Sequence, residues 1–438
     1  MRAVWITRPG GPEALEVRET ADPEPGPGQV RIRVRGAGLN VAEVMAAQGL
    51  YPDAPKPPCV VGYEVAGVID ALGDGAQGYA AGQRVLALTR FGGHADVVCV
   101  PAGQVLPMPD AMSFEEAAAI PVSYLTAFHM LFRGGGARPG ERVLVHMAAG
   151  GVGTAVLQLC RTVEELEVFG TASAAEHDVL KAGGCAHPVD YHATGHAAEV
   201  RRLTGGEGVD IVLDPPGGHD RRKGLKLLRP CGRLVAYGFA NLASGQRRRP
   251  ARLASQVAGI PLLTPLGLMN HNRTVSGVNI GHLWGQIAIL REELQAVLAL
   301  WDQGRQTAHR QDLPLSPTQP QPTAGSCSTR TPAKSCSYPE RLRGSKGSAA
   351  RPVCGRRSHS QYRTACIIMQ GGRLHVDLTM GLPGRRARKG SFDTSIDAMI
   401  CAAPPSCAWT RSLRPGVWWS SQCGQPGVGK LTANGSAR

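Results

Sequence analysis

His146-Met147-Ala148-Ala149-Gly150-Gly151-Val152-Gly153 is the stretch that decides how this chain folds. The apolar run Arg142–His146 before it predicts a strand, and Gly153–Val163 after it predicts a helix. Missing side chains at Gly150, Gly151 and Gly153 let a backbone approach a pyrophosphate, and the free N–H groups of the following helix favour its charge. Ala148 stands where the G-x-G-x-x-G pattern has its first glycine. A Gly-rich turn alone is common, so the weight comes from the segments downstream. Strand-like segments recur at Val168–Thr171, His187–Asp190, Val209–Asp214 and Arg233–Gly238, with helical stretches between them. That rhythm predicts a doubly wound α/β domain with a parallel sheet, and a dinucleotide at Ala149, Gly150, Gly151, Val152, Gly153 and Gly170.

The end of the second strand chooses the cofactor. NAD sites usually carry Asp or Glu there to hold the ribose 2′-hydroxyl. Gly170-Thr171-Ala172-Ser173 has none, whereas Ser173, His177 and Lys181 suit a 2′-phosphate. The expectation is NADP(H); Glu176, read as solvent-facing, counts against it.

Upstream, residues 1–120 predict a β-rich region: Ala3–Thr7, Gln29–Gly36, Val60–Leu72 and Arg84–Thr89. Ser113 and Glu116 form a capping box for a helix over Phe114–Ala119. Beyond about Leu263 the strand–helix rhythm lapses, leaving one clear helix at Ile287–Trp301.

A composition of 42% hydrophobic and 19% charged residues supports a sizeable core. The net charge of +14 would raise nucleic acid as a partner, but its position matters more. Ser316–Arg438 holds 18 Lys and Arg against 4 Asp and Glu, which leaves 30 of each, net zero, before it. The body is therefore neutral, and no specific nucleic-acid partner is expected. Its five cysteines (Cys59, Cys99, Cys160, Cys185, Cys231) lack metal-ligand spacing and read as reduced thiols of a cytoplasmic protein. No signal-peptide layout opens the chain. The most apolar stretch, Leu253–Met269, is broken by Pro261 and Pro265, so no membrane span is expected. The thirteen histidines, His94 and His129 among them, form no cluster and read as structural or exposed.

The segments Gly38-Leu39-Asn40, Gln48-Gly49-Leu50-Tyr51, Ala148–Gly153, Val168–Ser173, Gly208–Pro215 and Tyr237–Asn241 resemble the zinc-independent quinone oxidoreductase branch of the medium-chain dehydrogenases/reductases. Within it, His146–Glu164 and Val168–Ser173 are most similar to the vesicle amine transport protein type. The resemblance runs to about residue 315. It implies a GroES-like catalytic domain over 1–122, a Rossmann NADP-binding domain over 123–262, a return to the first domain over 263–315, and a homodimer. Zinc-dependent relatives carry a catalytic Cys where Asn40 stands and Gly-His-Glu where Gly62-Tyr63-Glu64 stands. Losing thiolate and imidazole leaves no tetrahedral site, so a quinone or an α,β-unsaturated carbonyl is the expected substrate. The resemblance assigns Asn40, Tyr51 and Thr126 to the substrate and nicotinamide cleft. It assigns Ser173, His177 and Tyr191 to the 2′-phosphate, and Tyr237, Phe239 and Asn279 to cofactor-flanking loops. It also leaves open a non-catalytic NADP-binding protein associated with vesicles or lipid.

Residues 316–438 have no long apolar periodicity and predict a basic, largely disordered tail. Two readings compete: a basic extension that binds nucleic acid or membrane, and, favoured here, translation out of frame. A two-nucleotide shift lets Pro332–Pro339 spell Gly-Lys-Val-Val-Leu-Val-Pro, the family's closing strand. The same shift lets Pro317–Ala324 spell Asp-Ala-Ala-Ala-Ala-His-Arg, similar to the helix before it. On this reading the catalytic sheet keeps an unpaired edge.

Overall fold

A computed structural model describes residues 1–193, 195–241, 250–304, 365–370 and 373–375. The β-rich part contributes β1 (Arg2–Ile6), β2 (Leu15–Glu19), β3 (Gln29–Leu39), β4 (Cys59–Val60), β5 (Glu64–Leu72), β6 (Arg84–Leu88), β7 (Val97–Pro101) and β8 (Val105–Pro107). A small sheet runs β2-β1-β4; the larger runs β3-β5-β6-β8, with β7 on the other edge of β3. Alternation in β3 does what its pattern predicts. Val30, Ile32 and Val34 enter a core with Val65, Ile69, Val85 and Val98. Arg31 and Arg33 turn to the other face, where both reach Asp70, at 2.8 and 2.7 Å. Three short helices belong to this part: α1 (Val41–Ala47), α2 (Phe114–Ala118), capped by the expected Ser113–Glu116 box, and α3 (Pro121–Phe128).

The second sheet is built from β9 (Arg142–Val145), β10 (Glu167–Ala172), β11 (His187–Asp190), β12 (Val209–Asp214), β13 (Leu228–Ala236) and β14 (Thr274–Gly277). Every pair is parallel, in the order β11-β10-β9-β12-β13-β14. The connections are α4 (Gly151–Cys160), α5 (His177–Ala182), α6 (His196–Leu203), α7 (Gly218–Leu227), and then α8 (Pro250–Ala258) with α9 (Pro265–His271). Both faces are covered, which is why the strands are apolar without alternation. Val143 and Val145 pack with α4 on one side, while Leu144 joins Phe169 and Val212 on the other. Strand order reverses between β9 and β12, so the ends of those strands open a ligand-binding crevice.

Two features depart from the sequence reading. The parallel sheet takes its sixth strand, β14, from beyond residue 262; with Val275 as its one apolar residue, Thr-Val-Ser-Gly carries almost no strand signal. After it, α10 (Ile287–Asp302) packs Leu290, Leu294 and Val297 against Leu125 and Leu131, and Arg291 donates to the Val105 carbonyl. The second departure is the edge of β3. Ala365–Gln370 (β15) runs antiparallel to it, pairing Ala365 with Leu39 through Ile368 with Gly36, and Arg373–His375 (β16) continues the sheet. The edge expected to be bare is therefore paired. Exposed N–H and C=O groups accept an apolar, β-prone segment that comes within reach. The rest of residues 305–438, and with it the expected disorder, lies outside the described residues.

Candidate functional site

One cavity of about 1040 Å³ is lined from the β-rich part and from the parallel sheet with its loops, and the two sides are built differently. On the nucleotide side, the turn between β9 and α4 is anchored by Thr171. Its hydroxyl accepts from the Met147 N–H at 3.1 Å, and its carbonyl accepts from the Ala148 N–H at 3.0 Å. Gly153 is required by close approach: a Cβ there would lie 2.4 Å from the Met147 carbonyl oxygen. Gly150, Gly151, Val152 and Gly153 face the cavity at the N-terminus of α4, which has no side-chain cap. Bare backbone N–H groups on a helix this long fit a pyrophosphate. Ala149 is buried within that turn, and Gly170 of β10 is buried against it.

Arg221 organises the opposite rim, and sequence reasoning missed it. Buried Asp214, at the end of β12, accepts from Arg221 Nε and from the Gly217 N–H. Arg221 Nη2 donates to the Gly238 carbonyl at 3.0 Å, and the guanidinium sits 4.9 Å from the Phe239 ring centroid. One side chain thus ties the loops after β12 and β13 together. A basic residue inside a polar helix gives no local sign of this.

The catalytic side carries buried carboxylates. Asn40 caps α1; its N–H donates to Glu43 Oε2 at 2.7 Å, and its Nδ2 donates to Glu64 Oε1 at 2.8 Å. Glu64 Oε2 accepts from the Val122 N–H, tying β5 to the start of α3. Glycine at position 38 makes room, since a Cβ there would lie 2.1 Å from Glu64 Oε1. Burial pushes the Glu43 carboxyl up to about 8, with the charge of Glu64 adding to it. Burial likewise pushes Glu64 up to about 7, against the hydrogen bonds from Val122 and Asn40. His94 is buried nearby and donates from Nε2 to the Gly38 carbonyl at 3.0 Å; desolvation pulls its pKa down to about 4. His129 and Arg133 share Glu293, from α10, at 2.9 and 2.6 Å. Neither histidine is exposed at a surface, so the structural reading is the one their partners support.

Asn40, Tyr51, Thr126, Tyr237, Phe239 and Asn279 all line this cavity. Ser173, His177 and Tyr191 do not; Ser173 and His177 come after the C-terminal end of β10, and Tyr191 directly follows β11. There the structure corrects one expectation. Glu176 is not solvent-facing but 7% exposed, and it accepts from Ser173 Oγ at 2.8 Å and the Ser173 N–H at 3.2 Å. Ser173-x-x-Glu176 is a capping box, as is Asn40-x-x-Glu43. The pattern recognised at Ser113 is present at both sites, and it pairs each acid with its capping residue. His177 Nε2 is buried without a hydrogen-bond partner, and burial pushes the Tyr191 phenol up to about 12.

Among the described residues no group of three or more His, Cys, Asp or Glu could hold a metal ion, and no helix is long and apolar enough to cross a membrane. Residues 26–110 match the family described as alcohol dehydrogenase GroES-like domain, and 151–302 the one described as zinc-binding dehydrogenase. The synaptic vesicle membrane protein VAT-1 homolog of Rattus norvegicus is 47% identical over 306 residues, 69% of this chain and 76% of the relative. The crystal structure of the human VAT-1 homolog-like protein is 36% identical with a TM-score of 0.60, over 70% of this chain and 88% of that one. A Pseudomonas syringae quinone oxidoreductase is 28% identical with a TM-score of 0.60, over 69% and 89%. A mycobacterial protein solved in complex with NADPH is 26% identical with a TM-score of 0.61, over 70% and 90%.

Proposed function

The chain belongs to the medium-chain dehydrogenase/reductase superfamily, alongside the VAT-1 homologs, and from that premise we propose that it is a zinc-free reductase using NADPH to reduce a quinone or an α,β-unsaturated carbonyl. The observation that carries this reading is the cavity, with an anion-binding helix N-terminus on one wall and Asn40, Tyr51 and Thr126 on the other. NADPH, when bound, supplies a hydride from its nicotinamide ring. The backbone of Gly150–Gly153 would hold the pyrophosphate, and the loops tied by Arg221 would flank the cofactor. Ser173, His177 and Tyr191 would meet the 2′-phosphate. The protein's part is to orient two reactants and exclude water. A substrate oxygen polarised only by hydrogen bonds suits acceptors whose product charge is delocalised. We further propose a cytoplasmic homodimer, with the catalytic domain over 1–122.

NADPH oxidation with a panel of quinones and enals tests the reading. Stoichiometric zinc in the active protein, or turnover that chelators abolish, contradicts it. The relatives are named for synaptic vesicles, which favours the second reading, a non-catalytic NADP-binding protein at vesicles or lipid. Bound NADPH with no oxidation across the panel selects that one.

A further inference from the structure

Arg221 is the one Lys or Arg on the cavity lining among the described residues. It is 8% exposed, and its guanidinium has three nitrogens to satisfy. Nε donates to Asp214, which is fully buried, and Nη2 to the Gly238 carbonyl at 3.0 Å. Nη1 makes no hydrogen bond to a described residue and, unlike Glu43 Oε1 or His146 Nε2, is not sealed from solvent. The sheet sets its position. Leu213 of β12 lies opposite Val145 of β9, and the His146 N–H donates to the Leu213 carbonyl at 3.3 Å. Asp214 therefore ends β12 beside the residue that opens the Gly-rich turn, and it holds Arg221 at that crevice. Gly217 makes room for the arrangement: its φ is +71°, and a Cβ there would lie 2.9 Å from the Phe239 ring and 3.5 Å from Arg221 Nη2. The two loops are also joined through backbone. The Ala240 N–H donates to the Pro215 carbonyl at 2.9 Å and the Tyr237 N–H to the Asp214 carbonyl at 3.2 Å. Clamping the loops thus occupies two of the three nitrogens and leaves a charged donor on the cavity wall.

We propose that Arg221 is a cofactor-binding residue, its Nη1 donating to the nicotinamide-side phosphate of the NADPH pyrophosphate. The inference rests on NADPH as the cofactor and holds for the reductase and the binding-protein readings alike. Backbone N–H groups at the start of α4 carry only partial charge. A guanidinium adds the charge-assisted bond that a phosphate oxygen accepts best. The direction in which a dinucleotide crosses the sheet selects the phosphate. Ser173 follows β10 and Tyr191 follows β11, on one side of β9, so a 2′-phosphate there puts the adenosine half on that side. The nicotinamide half then runs the other way, toward β12 and Arg221. Asp214 has a second effect, because its charge offsets that of the guanidinium and moderates the pull on the phosphate.

The test is calorimetric titration of the full chain with NADPH and with 2′,5′-ADP, which lacks the nicotinamide-side phosphate. Arg221→Lys keeps a cation for Asp214, but one amine cannot serve Asp214, Gly238 and a phosphate together. It should weaken NADPH about tenfold or more and leave 2′,5′-ADP at the wild-type value. Added KCl should then weaken NADPH less in Arg221→Lys than in the wild type, because one ionic contact is gone. Asp214→Asn should tighten NADPH a few-fold by freeing the guanidinium of its counter-charge. A residue that only clamps the loops predicts the reverse for Asp214→Asn and an unchanged salt dependence for Arg221→Lys. Wild-type NADPH affinity in Arg221→Lys, an equal loss for both ligands, or weaker NADPH binding by Asp214→Asn overturns the proposal. If Arg221→Lys fails to fold, the direction of the Asp214→Asn change decides. A wild type that binds no NADPH removes the cofactor assignment and the proposal together, whereas tight binding that ignores Arg221→Lys removes the proposal alone.

Discussion

The two walls of the cavity solve opposite electrostatic problems. The nucleotide wall is backbone and small residues at the start of α4, with the buried Asp214–Arg221 pair at its rim, and two buried histidines lie outside the cavity lining. Desolvation pulls His146 down to about 4 and His196 to about 3, with their rings 4.7 Å apart. The catalytic wall buries two acids, Glu43 and Glu64, and pushes both upward. One wall is made to receive charge and the other to withhold it, and local chain geometry sets the first while long-range packing sets the second.

pH should separate the walls most strongly. Between about 4.5 and about 8 the folded state keeps protons on Glu43 and Glu64 that the unfolded chain has released. Their contribution is therefore complete below 4.5 and lost as pH rises through 7 to 8, on the order of a few kcal/mol for the pair. The buried histidines, His94 on the catalytic wall as well as His146 and His196, act the other way. Their folded pKa values lie below the usual 6.5, so stability is present above that value and lost as pH falls toward 4 and below. Hydrogen exchange should show amides around α1 and β5 opening first in alkali, and those around β9, α6 and the His94 loop opening first in acid. The same order of opening at both extremes breaks the comparison.

Gly153→Val strikes the nucleotide wall alone. Its side chain would begin 2.4 Å from the Met147 carbonyl oxygen and 2.6 Å from Ala148 Cα. NADPH affinity, by fluorescence titration, should drop about 100-fold as the turn is displaced. Gly38→Ala is its counterpart on the other wall. The new methyl collides with Glu64, pushing it off Asn40, and should cost about 1–3 kcal/mol in denaturant unfolding with NADPH affinity unchanged. The smallest effect is expected at Glu176→Gln. Removing that charge beside Ser173 should tighten NADPH a few-fold, about 0.5–1 kcal/mol, and leave NADH alone. An equal change for both cofactors would remove Ser173 from the 2′-phosphate site.

Much of this architecture was legible in the chain. The Gly-rich turn, the apolar strands around it and the Ser113 cap are local patterns, so residues a few positions apart fix them. The strand β14 was not, because four small residues at a sheet edge have no period to read. The pairing of β15 with β3 was missed for a related reason: an open edge specifies a shape of partner and no particular sequence. Glu176 and Glu43 fall between these cases. Their capping boxes could be read locally, but whether a capping acid faces water or the interior depends on what lies above it.

The sequence by itself determined the parallel sheet and the Gly-rich turn between β9 and α4, while the places of Asn40 and Tyr63 came from a family resemblance. Tertiary structure alone decided that Asn40, Glu64 and Val122 meet, because Asn40 Nδ2 reaches Glu64 across 24 positions of chain and Val122 reaches it across 58. It also decided the protonation of the two acids, since a carboxyl's pKa is set by the water and charge removed from around it when distant segments close over it.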